Sequence, residues 1–187
     1  MLNKFFGFFR KSDDELRKEF VVREIDNNDE VPAYEDSNVA LYEEVRQVAN
    51  IKHACELDAE CIDCLEDYDD LIVRLLAFAD VRKFTILEDA SNNTIILRKD
   101  GNKVGFVPDD SDYIDDEALL GALNHFLKLC GARGRIYSLW EPDLLQCQMF
   151  LYTEDVDAVE KYISENLQDD DNVSVEDMKG DINSDVD

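Results

Sequence analysis

Apolar positions along this chain recur at helical spacing, then at strand spacing, then in alternation between the two, and the switches mark out its elements. Leu2, Phe5, Phe6 and Phe9 share one face of a short amphipathic helix that runs into Asp13, Asp14 and Glu15. Residues 26–37, rich in Asp, Asn and Glu around a proline, read as a loop. Ser37 or Asn38 is placed to cap a helix reaching about residue 52, with Leu41, Val45, Val48 and Ile51 on its apolar face. A second helical stretch covers about 56–79 and ends in the very apolar run 71–78.

The period then shortens. Residues 84–87, 94–97 and 103–107 are short β-branched or aromatic runs, and Asp100-Gly101-Asn102 between the last two is a hairpin signal. Helical spacing returns over 116–130, where Leu119, Leu123, Phe126, Leu127 and Cys130 form a stripe and Gly131 stands at the C-terminal cap position. Two more strands follow at 135–140 and 144–152, joined through Glu141-Pro142-Asp143. In the second, Leu145, Cys147, Met149 and Leu151 alternate with Gln146, Gln148 and Phe150, which is half-buried strand patterning. A last helix over about 155–168 carries Val156, Val159, Tyr162, Ile163 and Leu167.

This order predicts an α+β fold, with a mainly antiparallel sheet of about five strands and helices packed on it. The expected organisation is an N-terminal amphipathic segment (1–25), a single α+β domain (38–168) and an acidic tail (169–187). The tail holds eight Asp and Glu against one Lys, has few large apolar groups, and is expected to be disordered.

Charge changes the picture most. Against 19 Lys and Arg stand 45 Asp and Glu, a formal net charge of −26. Such an excess repels phosphate backbones and anionic membrane surfaces, and makes a basic protein surface the natural counterpart. The 187 residues fit one domain, and a hydrophobic content of 45% suffices for a core. Five cysteines at irregular spacings, with no secretory signal ahead of them, fit reduced thiols in the cytoplasm. No run reaches the roughly 18–20 apolar residues a membrane span needs.

Candidate chemistry is sparse. His53, Cys55, Cys61 and Cys64 are of the right type for zinc, but they lack paired chelating knuckles across a loop, and their spacing also suits a buried face. Asp181, Asn183 and Asp185 mimic the start of a calcium loop, but Val186 replaces the required glycine. His125 lies near the apolar stripe, no serine occupies a nucleophile elbow, and Gly131-Ala-Arg-Gly134 leads into a strand rather than a phosphate-cradling helix. No cofactor is implied, and the chain reads as a binding protein rather than an enzyme.

Two acidic clusters stand out. One spans 56–70; the other comprises Asp109, Asp110, Asp112, Asp115, Asp116 and Glu117 around Tyr113. Bases gather instead at Arg82, Lys83, Arg98, Lys99 and Lys103. The expected partner-binding surface is Asp109, Asp110, Asp112, Tyr113, Asp115 and Asp116, with Trp140 and Glu141 as second choice, because carboxylates steer a basic partner and aromatic rings anchor it. Small size, acidity and lack of catalytic machinery fit an immunity or inhibitor protein that neutralises a basic partner such as a nuclease toxin. The alternatives are an adaptor docking through its Phe-rich N-terminus, and a zinc protein using His53, Cys55, Cys61 and Cys64.

Overall fold

The computed structural model describes residues 21–26, 40–58, 60, 62, 64–109, 113–140 and 147–166. The chain forms β1 (Val21–Ile25), α1 (Ala40–Val48), β2 (Ile51–Asp58), α2 (Leu65–Phe78), β3 (Phe84–Asp89), β4 (Thr94–Lys99), β5 (Asn102–Phe106), α3 (Asp116–Leu129), β6 (Arg135–Trp140), β7 (Cys147–Thr153) and α4 (Val156–Asn166). Among the described residues all strand pairs are antiparallel, and they build two sheets ordered β1-β3-β4-β5 and β2-β7-β6. The α+β fold is the expected one. Its five expected strands are present, joined by β1 and β2 and divided between two sheets. Among the described residues no helix is long and apolar enough to cross a membrane.

The sheets and helices stack in four layers. Helices α2 and α3 lie between the two sheets, and α1 and α4 cover the far side of the three-stranded sheet. The inner core joins Ile72, Leu75 and Leu76 of α2 and Leu123 and Phe126 of α3 to Ile86 and Leu97 of one sheet and Phe150 and Ile136 of the other. The outer core holds Tyr42, Val45 and Ala49 of α1, Val159 and Ile163 of α4, and Leu139, Met149 and Leu151 of the sheet between. Strand β7 is therefore buried on both faces, not half-buried: Phe150 and Tyr152 point into one core, Met149 and Leu151 into the other.

Two other sequence expectations are corrected. Residues 51–58 are a strand, not the end of one helix and the start of the next. Its Ala, Glu and Leu favour helix locally, but pairing with β7, from Asp58↔Cys147 to His53↔Tyr152, overrides that preference. The face of α1 is also rotated: Tyr42 and Ala49 join Val45 in the core, and Val48 is 48% exposed. Both stripes keep helical spacing, and the one carrying the bulky Tyr42 is the one buried. The tail at 169–187 and the segment 1–20 lie outside the described residues.

Turn chemistry follows the sequence closely. Asp100 and Gly101 take positive φ of 50° and 86°, as a tight β4–β5 hairpin requires. Helix α3 ends at Gly131, φ +81°, with Gly131 N donating to Lys128 O (3.1 Å) and Ala132 N to Leu127 O (3.0 Å). Helix α2 ends the same way: Asp80 takes φ 56°, Asp80 N donates to Ala77 O (3.0 Å), and Val81 N to Leu76 O (3.0 Å).

One polar group breaks the inner core. Asp69 of α2 and Glu88 of β3 are both buried, and Arg23 of β1 reaches both, with Nη1 2.9 Å from Asp69 Oδ2 and Nε 3.2 Å from Glu88 Oε1. Neither Arg23 contact has hydrogen-bond geometry, so Arg23 acts on the two carboxyl groups as a nearby charge. Burial first, and the neighbouring Glu88 second, push the Asp69 carboxyl up to about 7.

Two predictions follow from this packing. The folded protein binds the Asp69 proton more tightly than the unfolded chain does, so this group's stabilisation is complete below the ordinary Asp range near pH 4 and is lost as pH rises through about 7. The thermal midpoint of the parent is expected to fall more between pH 5 and pH 8 than that of Asp69→Asn, and equal slopes would reject the assignment. At Gly134 a Cβ would stand 2.3 Å from Thr153 O and 2.6 Å from the Tyr152 ring. Gly134→Ala should therefore destabilise by about 1–3 kcal/mol in urea titration, as overpacking against backbone does.

Candidate functional site

Helices α2 and α3 run parallel, and this places the charged segments. At their N-terminal end, Asp67 in the first turn of α2 accepts from Cys64 N at 2.9 Å, an arrangement that satisfies a backbone donor left open by the helix start. Asp115 caps α3, its Oδ1 accepting from Ala118 N (3.0 Å) and its Oδ2 from Asp109 N (2.9 Å). Two tyrosines then tie the starts of the helices together. Tyr68 of α2 accepts from Asp115 N at 3.0 Å, and the Tyr113 hydroxyl donates to Glu60 Oε1 at 2.9 Å. The acidic segments around 56–70 and 109–117 thus meet at one end of the molecule.

The expected binding residues divide accordingly. Asp109 is exposed and Tyr113 is 50% exposed at this end. Asp115 is partly buried and committed to its cap. Asp116 is also partly buried, its Oδ2 accepting from Gln148 Nε2 at 3.0 Å, and that amide also reaches Ser138 Oγ at 2.7 Å. Asp110, Asp112 and Glu141 lie outside the described residues. The backbone of Trp140 pairs with Gln148, so β6 finishes close to Asp116. Beyond the expected set, Asp58, Glu60, Glu66, Asp70 and Glu117 are exposed acidic residues of the two segments. Their density was visible in the sequence; the Tyr113–Glu60 and Tyr68–Asp115 contacts that unite them were not.

The opposite end is basic. Both helices terminate there, and the β4–β5 hairpin closes over them. Lys99 Nζ donates to Lys83 O (3.2 Å) and to Arg82 O, while Asn102 Nδ2 donates to Leu129 O (3.1 Å), so hairpin side chains satisfy carbonyls around both helix C-termini. Arg82 Nε pairs with Asp80 Oδ1 at 2.6 Å. A cleft of about 400 Å³ lies between these parts, lined by Arg82, Lys83, Lys99, Cys130 and Gly131 among others. A helix of 14 residues spans about 21 Å, which sets the separation between the acidic and basic ends.

The cysteine and histidine residues are spread through the fold. His53 stacks on Phe78, ring centroids 5.6 Å apart, with its Nδ1 buried and without a hydrogen-bond partner; burial and Lys52 hold its pKa below the usual histidine range. Cys55 is buried in the inner core, and burial pushes its thiol up to about 11 despite nearby Arg74. Cys64 is exposed at the start of α2, and its bond to Asp67 raises its pKa. Cys61 lies outside the described residues. Among the described residues no group of three or more His, Cys, Asp or Glu is arranged to hold a metal. His125 is exposed on α3.

Comparison of the chain with protein-family models, with curated proteins and with solved structures gave no match.

The geometry separates carboxylates that hold the fold from those that only face solvent. Asp115→Ala should cost about 1–2 kcal/mol, because it removes a helix cap and an acceptor for Asp109 N. Asp70→Asn, exposed and beyond the first turn of α2, should stay within about 0.5 kcal/mol. Urea unfolding of the two variants checks the contrast, and equal effects would reject it.

Proposed function

We infer that the chain is a cytoplasmic binding protein of the inhibitor or immunity type, which docks a basic protein surface with the acidic end of its paired helices and catalyses no reaction. One observation carries this reading: two carboxylate-rich segments, far apart in sequence, meet around the half-exposed Tyr113 through its bond to Glu60. Helix dipoles account for carboxylates in the first turns of α2 and α3. They do not account for Asp58, Glu60 or Asp109, which lie outside those helices. The excess concentrates negative potential where it steers a cationic partner, and a tyrosine within it supplies contact area once the partner has arrived. The basic groups sit about 21 Å away at the other helix end, so the charge distribution also orients the encounter.

The test begins with co-purification from native lysate at low salt, followed by association kinetics with the captured basic protein. A variant with Glu66→Gln, Asp70→Asn, Asp109→Asn and Glu117→Gln should associate about tenfold more slowly at low ionic strength and show a weaker salt dependence. Dissociation should change less. Tyr113→Ala should act mainly on dissociation. An unchanged on-rate in the neutralised variant would reduce this end to an ordinary solvated surface.

A further inference from the structure

The two sheets end differently at the strands beside α3. On β6 the backbone of Ile136, turned away from β7, is already engaged. Its N–H donates to Asn124 Oδ1 (2.8 Å), and its carbonyl accepts from Asn124 Nδ2 (2.9 Å). One α3 side chain thus stands where the peptide group of a further strand would. Strand β5 differs. Lys99 and Asn102 close the two-residue turn of its hairpin, so Asn102, Val104 and Phe106 turn their backbone groups to β4. By the same alternation Lys103, Gly105 and Val107 turn theirs outward. Among the described residues no strand pairs with that side of β5. Lys103 and Gly105 are exposed, and Val107 is 58% exposed. The opening stops at Asp109, whose N–H donates to Asp115 Oδ2 (2.9 Å).

We propose that the open edge of β5 binds an extended segment of a partner protein as an added antiparallel strand, a surface distinct from the carboxylates of the acidic end. Main-chain hydrogen bonds supply the affinity in this mode, and alternate side chains supply the selectivity. Side chains opposite Lys103, Gly105 and Val107 stand beside them on the outer face of the sheet. Cross-strand pairs of opposite charge or of apolar groups each contribute about 0.2–1 kcal/mol there. A carboxylate therefore suits the position facing Lys103, and an aliphatic group the position facing Val107. Gly105 brings no side chain, and a Cβ there would stand 3.3 Å from Ile96 Cγ1. An aromatic ring laid over the glycine finds that apolar neighbour already in place. Along an incoming strand antiparallel to β5 the pattern is aliphatic, any, aromatic, any, acidic. A second copy of the chain fits less well. Its own β5, centred on Gly105, would set Lys103 against Val107 and glycine against glycine, and a net charge of −26 on each chain opposes the approach.

The probe is a fluorescein-labelled macrocyclic hairpin whose free edge reads Val-Thr-Phe-Thr-Glu, preorganised so that little ordering opposes binding. Saturable binding to the full chain is expected by fluorescence anisotropy. N-methylation of the Phe amide, which faces β5 in this register, should abolish it. Lys103→Glu should weaken binding about tenfold. A probe ending in Lys instead of Glu should bind that variant better than it binds the parent. No binding to the parent, binding indifferent to N-methylation, or no exchange of charge preference would each overturn the proposal. So would dimerisation of the chain alone, seen by sedimentation velocity and lost in Lys103→Glu, because a second copy would then hold the edge. The Glu-ended probe carries no cationic group for the acidic end, so its failure leaves the partner-binding reading standing.

Discussion

Parallel α2 and α3 put like helix poles side by side between two sheets, and the rest of the molecule answers to that arrangement. Two N-termini together concentrate positive partial charge, and two C-termini concentrate negative charge, each terminal side chain of opposite sign contributing about 0.3–1 kcal/mol. Glu66 and Asp67 stand in the first turn of one helix, Asp116 and Glu117 in that of the other, with Asp115 as cap. At the opposite pole Lys128 lies in the last turn of α3, and Lys99 reaches across from the hairpin to the carbonyls that follow α2. The segregation of charge along the sequence is in large part a record of this pairing.

That cause separates what the fold needs from what it does not. Asp115, Asp116 and Tyr68 hold the helix starts in place, and a partner would find them already engaged. Asp109, Glu60 and Tyr113 sit above that layer, in connecting segments. A similar division runs through the core, where Arg23 comes from the edge strand β1 to neutralise carboxylates that α2 and β3 bury. Strand β1 is thus held by charge on its inner side.

Much of this was legible in the sequence. The hairpin at Asp100-Gly101, the α3 stripe with its Gly131 cap and the run of strands after residue 84 follow from local chemistry, because turn residues and periodicity act over a few positions. Strand β2 was not legible, since its residues favour helix locally and its partner lies in β7. The same holds for the division into two sheets, and for β7, whose two buried faces follow from layers the sequence does not name. The acidic segments could be seen, but their union could not. It rests on single hydroxyl contacts between residues such as Tyr113 and Glu60, for which no period or motif exists.

The pairing of β2 with β7 also orders events in time. Strands β3, β4 and β5 are joined by tight turns and can pair as soon as they are made, whereas β2 has to wait for β7, roughly ninety residues later. At translation rates of about 5–20 residues per second that interval is on the order of 5–20 s, during which Ile51–Asp58 emerges as a strand with no neighbour. Lys52, Glu56 and Asp58 within that strand are the kind of charges that discourage an unpaired edge from pairing with another chain. The nascent protein should therefore be most open to capture or aggregation between the completion of its first hairpins and the arrival of its last strand.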